Sequence, residues 1–185
     1  MPAQPLLMYV HMAQLTKNLK FGCGFNVNLM WHPLRLVEDY ATADILTGGR
    51  VIFGVGRGYH SREVDTFGVP STLTDNDANR EIFEEQVEII IKAFNEQSFS
   101  HKSKHCTLPP EMPYRGYTLK ETTLVPRPRN LPVETFQPLV SSSQRAIDFM
   151  AKHGIKGIVG RGAATGGASE SVMKQWQETL AKHGR

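Results

Sequence analysis

Apolar residues along this chain follow two different periods. From Leu34 to Leu46 they recur every three or four positions, at Leu36, Val37, Tyr40, Ala43 and Ile45. From Asp77 to Asn95 the same spacing holds at Ile82, Phe83, Val87, Ile90, Ile91 and Phe94. Both patterns predict amphipathic helices, the second capped by Asp77 or Asn79. Helices are also expected over Pro5 to Lys17, over Gln144 to His153 with Gly154 closing it, and over Ser171 to His183 ending at Gly184. Between them lie short apolar runs: Leu19 to Val27, Val51 to Val55, Val133 to Val140 and Ile155 to Val159. Short runs bounded by glycine and serine read as buried strands of a parallel sheet.

A strand, a helix and a second strand follow each other across the tight Gly48-Gly49 turn, which is a parallel crossover unit. The alternation predicts an α/β protein with about four core parallel strands. It fits either an open doubly wound sheet or part of a (β/α)8 barrel. A closed barrel of that kind takes roughly 250 residues, and this chain has 185. Residues 98–131 break the alternation with prolines, tyrosines and charges, and such long inserts often serve as lids or substrate walls.

Composition narrows the partners. The net charge is +3, and the lysines and arginines are scattered rather than gathered in a stripe, which argues against nucleic acid. No apolar stretch is long enough to cross a bilayer, so no membrane partner is expected. The amino-terminal stretch does not read as a secretory signal, and the expected location is cytoplasmic. The two cysteines, Cys23 and Cys106, are read as thiols. His101, His105 and Cys106 sit in a proline-rich stretch without metal-ligand periodicity, and no metal is expected.

Candidate chemistry concentrates where the run Val51-Ile52-Phe53 ends in Gly54-Val55-Gly56-Arg57-Gly58. Glycines permit close backbone approach, and a guanidinium suits a phosphate dianion. The competing reading pairs Arg57 with Glu63 or Asp65. Ser142, Ser143 and Gln144 form a strand-to-helix junction, where main-chain N–H groups favour anions. Plain capping by a serine would look the same in sequence. The glycine run is not a dinucleotide fingerprint, because Tyr59 holds the third glycine's place, and the Gly162 to Gly167 loop lacks the lysine of a P-loop.

Several motifs occur together in a specific order. They are His32-Pro33, Glu38 in the next helix, Gly48-Gly49-Arg50, the Gly54 to Gly58 run, and Glu63 with Phe67-Gly68. The later segments VPRP at Val125 to Pro128 and AKHGIKGIVG add to them. In this combination the chain resembles the bacterial luciferase-like flavin monooxygenases over nearly its whole length.

The resemblance implies a (β/α)8 barrel with a long insert, using reduced FMN and dioxygen or, in some branches, a deazaflavin coenzyme. It implies a small-molecule substrate and a flavin reductase as a further partner. Arg57 matches the family's flavin phosphate-binding arginine, and Ser142, Ser143 and Gln144 match its second phosphate-binding element. Gly24 and Phe25 match the place where the family bends a strand through a non-prolyl cis peptide beneath the flavin. Asn26 and Asn28, near that strand's end, are placed either to reach the flavin's polar edge or only to satisfy loop backbone, and Gly56 completes the cofactor set.

The resemblance also places the chain from the barrel's second helix to just past its sixth. Residues 1–185 are thus expected to form a partial barrel, with 98–131 as the inserted lid-like region. No catalytic base is assigned. An incomplete barrel leaves sheet edges open, and homodimer formation is one way to cover them. Two alternatives to a monooxygenase stand beside it: a non-catalytic flavin-binding or assembly module, and a deazaflavin-dependent oxidoreductase.

Overall fold

Helix α1 (Pro5–Leu15) and helix α2 (Pro33–Leu46) flank the short strands β1 (Phe21–Gly22) and β2 (Asn26–Val27). Strand β3 (Val51–Gly56) leads through the short helix α3 (Ser61–Val64) to α4 (Asn76–Asn95). Two small hairpins follow, β4 (His101–Lys102) with β5 (Thr107–Leu108), and β6 (Pro113–Tyr114) with β7 (Tyr117–Thr118). Then come β8 (Thr135–Pro138), α5 (Gln144–His153), β9 (Lys156–Ile158) and α6 (Ala168–Lys182). This computed structural model describes residues 5–58, 60–111, 113–139, 143–159 and 168–185.

The chain divides into two compact units. One takes Met1–Phe21, Val27–Val51 and Arg57–Val133; the other takes Gly22–Asn26, Ile52–Gly56 and Glu134–Arg185.

The first unit is a helical assembly with α2 at its centre, packed against both α1 and α4. Leu36, Val37 and Tyr40 of α2 are buried, as are Phe83, Val87, Ile90 and Phe94 of α4. Large apolar side chains such as these contribute roughly 1.5–3 kcal/mol each when fully buried. Ile45 departs from the expected face and is exposed. Nine positions after Leu36 it lies half a turn away at about 100° per residue, and Ala41 and Asp44 are buried instead. The buried Asp44 carboxylate accepts the Arg129 main-chain N–H at 2.8 Å. The Gly48-Gly49 turn uses positive φ at both residues, 74° and 83°, which glycine adopts without steric cost.

The insert is held against the first unit's helices. Its Arg127 donates to the Phe94 carbonyl at 3.1 Å and to the Glu96 carbonyl, so it caps the carboxyl end of α4. Asn130 reaches the Gly49 carbonyl at 2.9 Å. The β4–β5 hairpin lies along α4, with His101 Nε2 3.5 Å from Glu85 and Lys104 Nζ 2.8 Å from Glu81.

The second unit is built on a sheet of order β1-β3-β8-β9, with β2 also paired to β3. Strands β3, β8 and β9 run parallel, with Gly54 opposite Phe136 and Phe136 opposite Lys156. The alternate register position, Gln137 opposite Gly157, faces α5: a Cβ on Gly157 would lie 3.6 Å from Met150. Phe53, Val55, Ile147, Met150 and Ile155 form this unit's buried core. On the sheet's other face Ile158 is 43% exposed, and Lys156 Nζ sits 5.6 Å from the Phe136 ring centroid.

The expected single strand from Leu19 to Val27 is two short strands. A cis peptide between Gly24 and Phe25 interrupts it.

Candidate functional site

Arg57 follows β3 directly, and its guanidinium is fixed from the first turn of α4. Its Nε donates to Asn79 Oδ1 at 2.9 Å, and its Nη2 donates to Asn76 Oδ1 at 2.8 Å and to the Asn76 carbonyl at 3.0 Å. Asn79 is fully buried, and its Nδ2 donates to the Pro70 carbonyl at 2.9 Å and the Arg57 carbonyl at 3.4 Å. The partners of these bonds are both asparagines.

The expected caps also change. Helix α4 starts one residue before Asp77, and its cap is Asp75, whose carboxylate accepts the Ala78 N–H at 2.9 Å. That leaves Asn79 to serve Arg57. In the sequence Asn79 reads as a cap candidate; its burial, which obliges the amide to find partners, is seen only in the structure.

The glycine run has a clear steric cause. A Cβ on Gly54 would lie 2.1 Å from the Cys23 carbonyl oxygen, and one on Gly56 would lie 3.1 Å from Phe25 Cβ. Asn26 is buried and donates its Nδ2 to the Gly54 carbonyl at 2.6 Å. So Gly24, Phe25, Asn26, Gly54 and Gly56 come together in the second unit, and Gly54 and Gly56 give room to the turn beside them. Gly58 belongs to the first unit. Its φ is 73°, and a Cβ there would meet Val27 at 2.5 Å.

Ser142 lies outside the described residues, as do Tyr59 and the Gly162 to Gly167 loop. Ser143 stands at the N-cap of α5 but makes no side-chain capping bond, so the plain capping reading does not describe it. The Gln144 amide is turned to its own unit's helices. Its Nε2 donates to Asp148 at 2.8 Å and Thr179 at 3.0 Å, and its Oε1 accepts from Gln175 at 2.7 Å.

Asn28 is fully buried, with neither amide atom hydrogen-bonded. His32 orders its loop: it caps α2 by accepting the Leu34 N–H on Nδ1 at 3.3 Å. Arg50, the third residue of the Gly-Gly-Arg turn, donates to the Thr16 carbonyl at 2.9 Å and the Ala13 carbonyl at 2.8 Å, so it caps α1. Sequence reasoning left that arginine without a role.

Cys23 and Cys106 are both thiols, and among the described residues no group of His, Cys, Asp and Glu could hold a metal ion. Cys106 lines a pocket of about 250 Å³ with Trp31, His32, Glu85, Gln86 and His105. Burial pushes its thiol above the ordinary value of 9.0, and the nearby Glu85 charge adds to the rise. No described helix is long and apolar enough to cross a membrane.

With this geometry in hand, comparison with known proteins identifies the class. The pattern of the luciferase-like monooxygenases matches residues 2–185, and the chain belongs to that family. The oxygenase component of a flavin-dependent trigonelline monooxygenase from Acinetobacter baylyi is 36% identical over 61 residues, 33% of this chain and 17% of that protein.

Among solved structures, monooxygenase RslO1 from Streptomyces bottropensis superposes with a TM-score of 0.80 at 17% identity, covering 98% of this chain and 50% of that one. The oxygenating constituent of 3,6-diketocamphane monooxygenase from Pseudomonas putida, solved with FMN, gives a TM-score of 0.74 at 19% identity, covering 98% and 49%. The fold is therefore that of the family's barrel enzymes, and the chain spans about half the length of these solved relatives.

Proposed function

We propose that this chain carries flavin-binding elements of a luciferase-like monooxygenase that uses reduced FMN and dioxygen on a small organic substrate. The observation that carries the reading is Arg57, a cation held in place by neutral asparagine oxygens, which suits the flavin phosphate. Bound FMN would supply the redox chemistry with dioxygen. The protein's share is to bind it, orient it and exclude water. Arg57 holds the phosphate. Gly24 and Phe25 are assigned to the ring, with Asn26 and Gly56 supporting that turn, and Ser142, Ser143 and Gln144 to a second anion contact. Because the Gln144 side chain is engaged, its contribution is the main-chain N–H. The insert, residues 98–131, walls the substrate side.

The Acinetobacter relative is named as an oxygenase component, and we assign delivery of reduced flavin here to a separate reductase as well. A second reading is that these residues bind flavin without turning over on their own; the chain spans about half the length of the solved relatives. Dioxygen consumption by the chain loaded with reduced FMN separates the two readings, and the same titration with a reduced deazaflavin separates the cofactors.

The direct test is titration with FMN and with riboflavin. Replacing Arg57 by Ala removes a charge-assisted hydrogen bond, a loss of roughly 1.5–3 kcal/mol. The expected outcome is FMN binding weakened by about 10- to 150-fold, with riboflavin unaffected. Equal affinities of the wild-type chain for FMN and riboflavin would refute the assignment.

A further inference from the structure

The pocket beside Cys106 lies within the first unit and takes no part in the flavin reading. Three stretches of chain wall it: Trp31 and Pro33 at the start of α2, Ile82, Glu85 and Gln86 on α4, and Cys106 from the β4–β5 hairpin. Positions 82, 85 and 86 are three and four residues apart, so they share one helix face. At about 250 Å³ the pocket falls below the roughly 300–1,000 Å³ of drug-sized sites, and it suits a molecule of a few heavy atoms.

Its chemistry is one-sided. Glu85 brings a carboxylate, and its side chain is only 11% exposed. The base paired with it is His101, whose Nε2 is 3.5 Å away, too long for a good hydrogen bond. That imidazole balances the carboxylate only when doubly protonated. Glu85 Oε1 has no hydrogen-bond partner. Gln86 commits its Nε2 to the Trp31 carbonyl at 3.4 Å, and its buried Oε1 has no partner either. Two successive residues of one helix thus each keep a buried acceptor unanswered, and buried acceptors ordinarily find a donor. Among the described residues no lysine or arginine lines the pocket. The Cys106 thiol holds its proton and adds no charge of its own.

The group that answers this wall is a cation carrying N–H donors. Attraction from the Glu85 carboxylate acts without contact, and a turn of the Glu85 and Gln86 side chains brings their covered oxygens to a donor. Pro33 and Ile82 offer apolar surface, and the indole of Trp31 is the ring that attracts cations best. The same carboxylate repels a phosphate, so flavin is not the ligand here.

We infer that this pocket binds a small protonated alkylamine, with Glu85 as its counter-ion, Gln86 Oε1 as a further acceptor, and Trp31 and Ile82 around its alkyl part. The inference does not rest on the flavin reading.

The test is calorimetric titration of the full chain with n-butylamine and with n-butanol, its uncharged match in length. At pH 8 an alkylamine keeps its proton and an ordinary histidine has lost its second one, so the carboxylate is the charge being read. The expected result is saturable binding of the amine, at least tenfold tighter than the alcohol. Glu85→Gln keeps the size of the side chain and removes the charge, and it should bring the amine down to the alcohol's affinity. Ile82→Phe leaves Glu85 and His101 in place and fills the space, and it should weaken the amine at least tenfold. Circular dichroism checks that each variant is folded.

A folded wild-type chain that binds the amine no more tightly than the alcohol, or binds neither, would overturn the site. A tenfold preference for the amine that survives in folded Glu85→Gln would overturn it too. Where that variant does not fold, an amine affinity unchanged by Ile82→Phe would do the same, because the cation would then be held elsewhere.

Discussion

Gly54 shows how much one hydrogen atom in place of a methyl group can decide. A methyl group there would strike main chain, the Cys23 carbonyl oxygen, which cannot swing aside as a side-chain tip would. Gly54→Ala is expected to destabilise the chain by about 3 kcal/mol, seen as a lower melting temperature. An alanine variant as stable as wild type would show that the Cys23 to Asn26 turn yields easily. Cys106 gives a prediction in pH. Its folded thiol holds its proton to higher pH than the unfolded chain's does, so at pH 8 it should react with iodoacetamide more slowly than the same chain unfolded in urea. The same shift means that stability falls as pH rises through the ordinary thiol value of 9.0 and beyond, because the unfolded state releases its proton first. In the sequence, the glycine run already stood out as a place of close approach, and Arg57 as its one charge. What the run approaches was not readable. The neighbour lies about thirty residues away in sequence, and only pairing of the strands brings it near.

Among the elements, those with a long repeat were the most legible. The boundaries of α5 agree with the sequence reading to the residue, and its Gly154 has the left-handed φ of 67° that a helix-closing glycine takes. Helix α4 was visible from its apolar spacing, but its cap was placed two to four residues late. Asp75, Asp77 and Asn79 all favour capping, and propensity alone does not rank them. The strand from Leu19 to Val27 was misjudged because the apolar pattern continues through the break at Gly24. Arg50 and Arg127 are alike in what they do: each closes a helix's last carbonyls from a distant part of the chain. Arg127→Ala should cost about 1–2 kcal/mol and speed amide exchange in the last turn of α4. Urea unfolding and exchange rates at residues 92–95 would check it. Loss of stability without faster exchange there would place the effect elsewhere.

For the whole molecule, the alternation of strands and helices gave the α/β class, and the ordered motifs gave the family. Periodicity alone left open sheet and barrel undecided, because about four strands suit both, and comparison with solved relatives made the difference. The insert was the least legible part. Its strands are two residues long, too short for a period to show. The way it is fastened has an evolutionary consequence. Arg127 and Asn130 bind carbonyl oxygens of the backbone at the ends of α4 and α2. Such oxygens are present whatever side chains a descendant carries, so these fastenings survive drift in the helices. Among the described residues, only the polar contacts to Asp44, Glu81 and Glu85 tie the insert to particular side chains of α2 and α4, so a change in the insert there calls for a matching change in those helices.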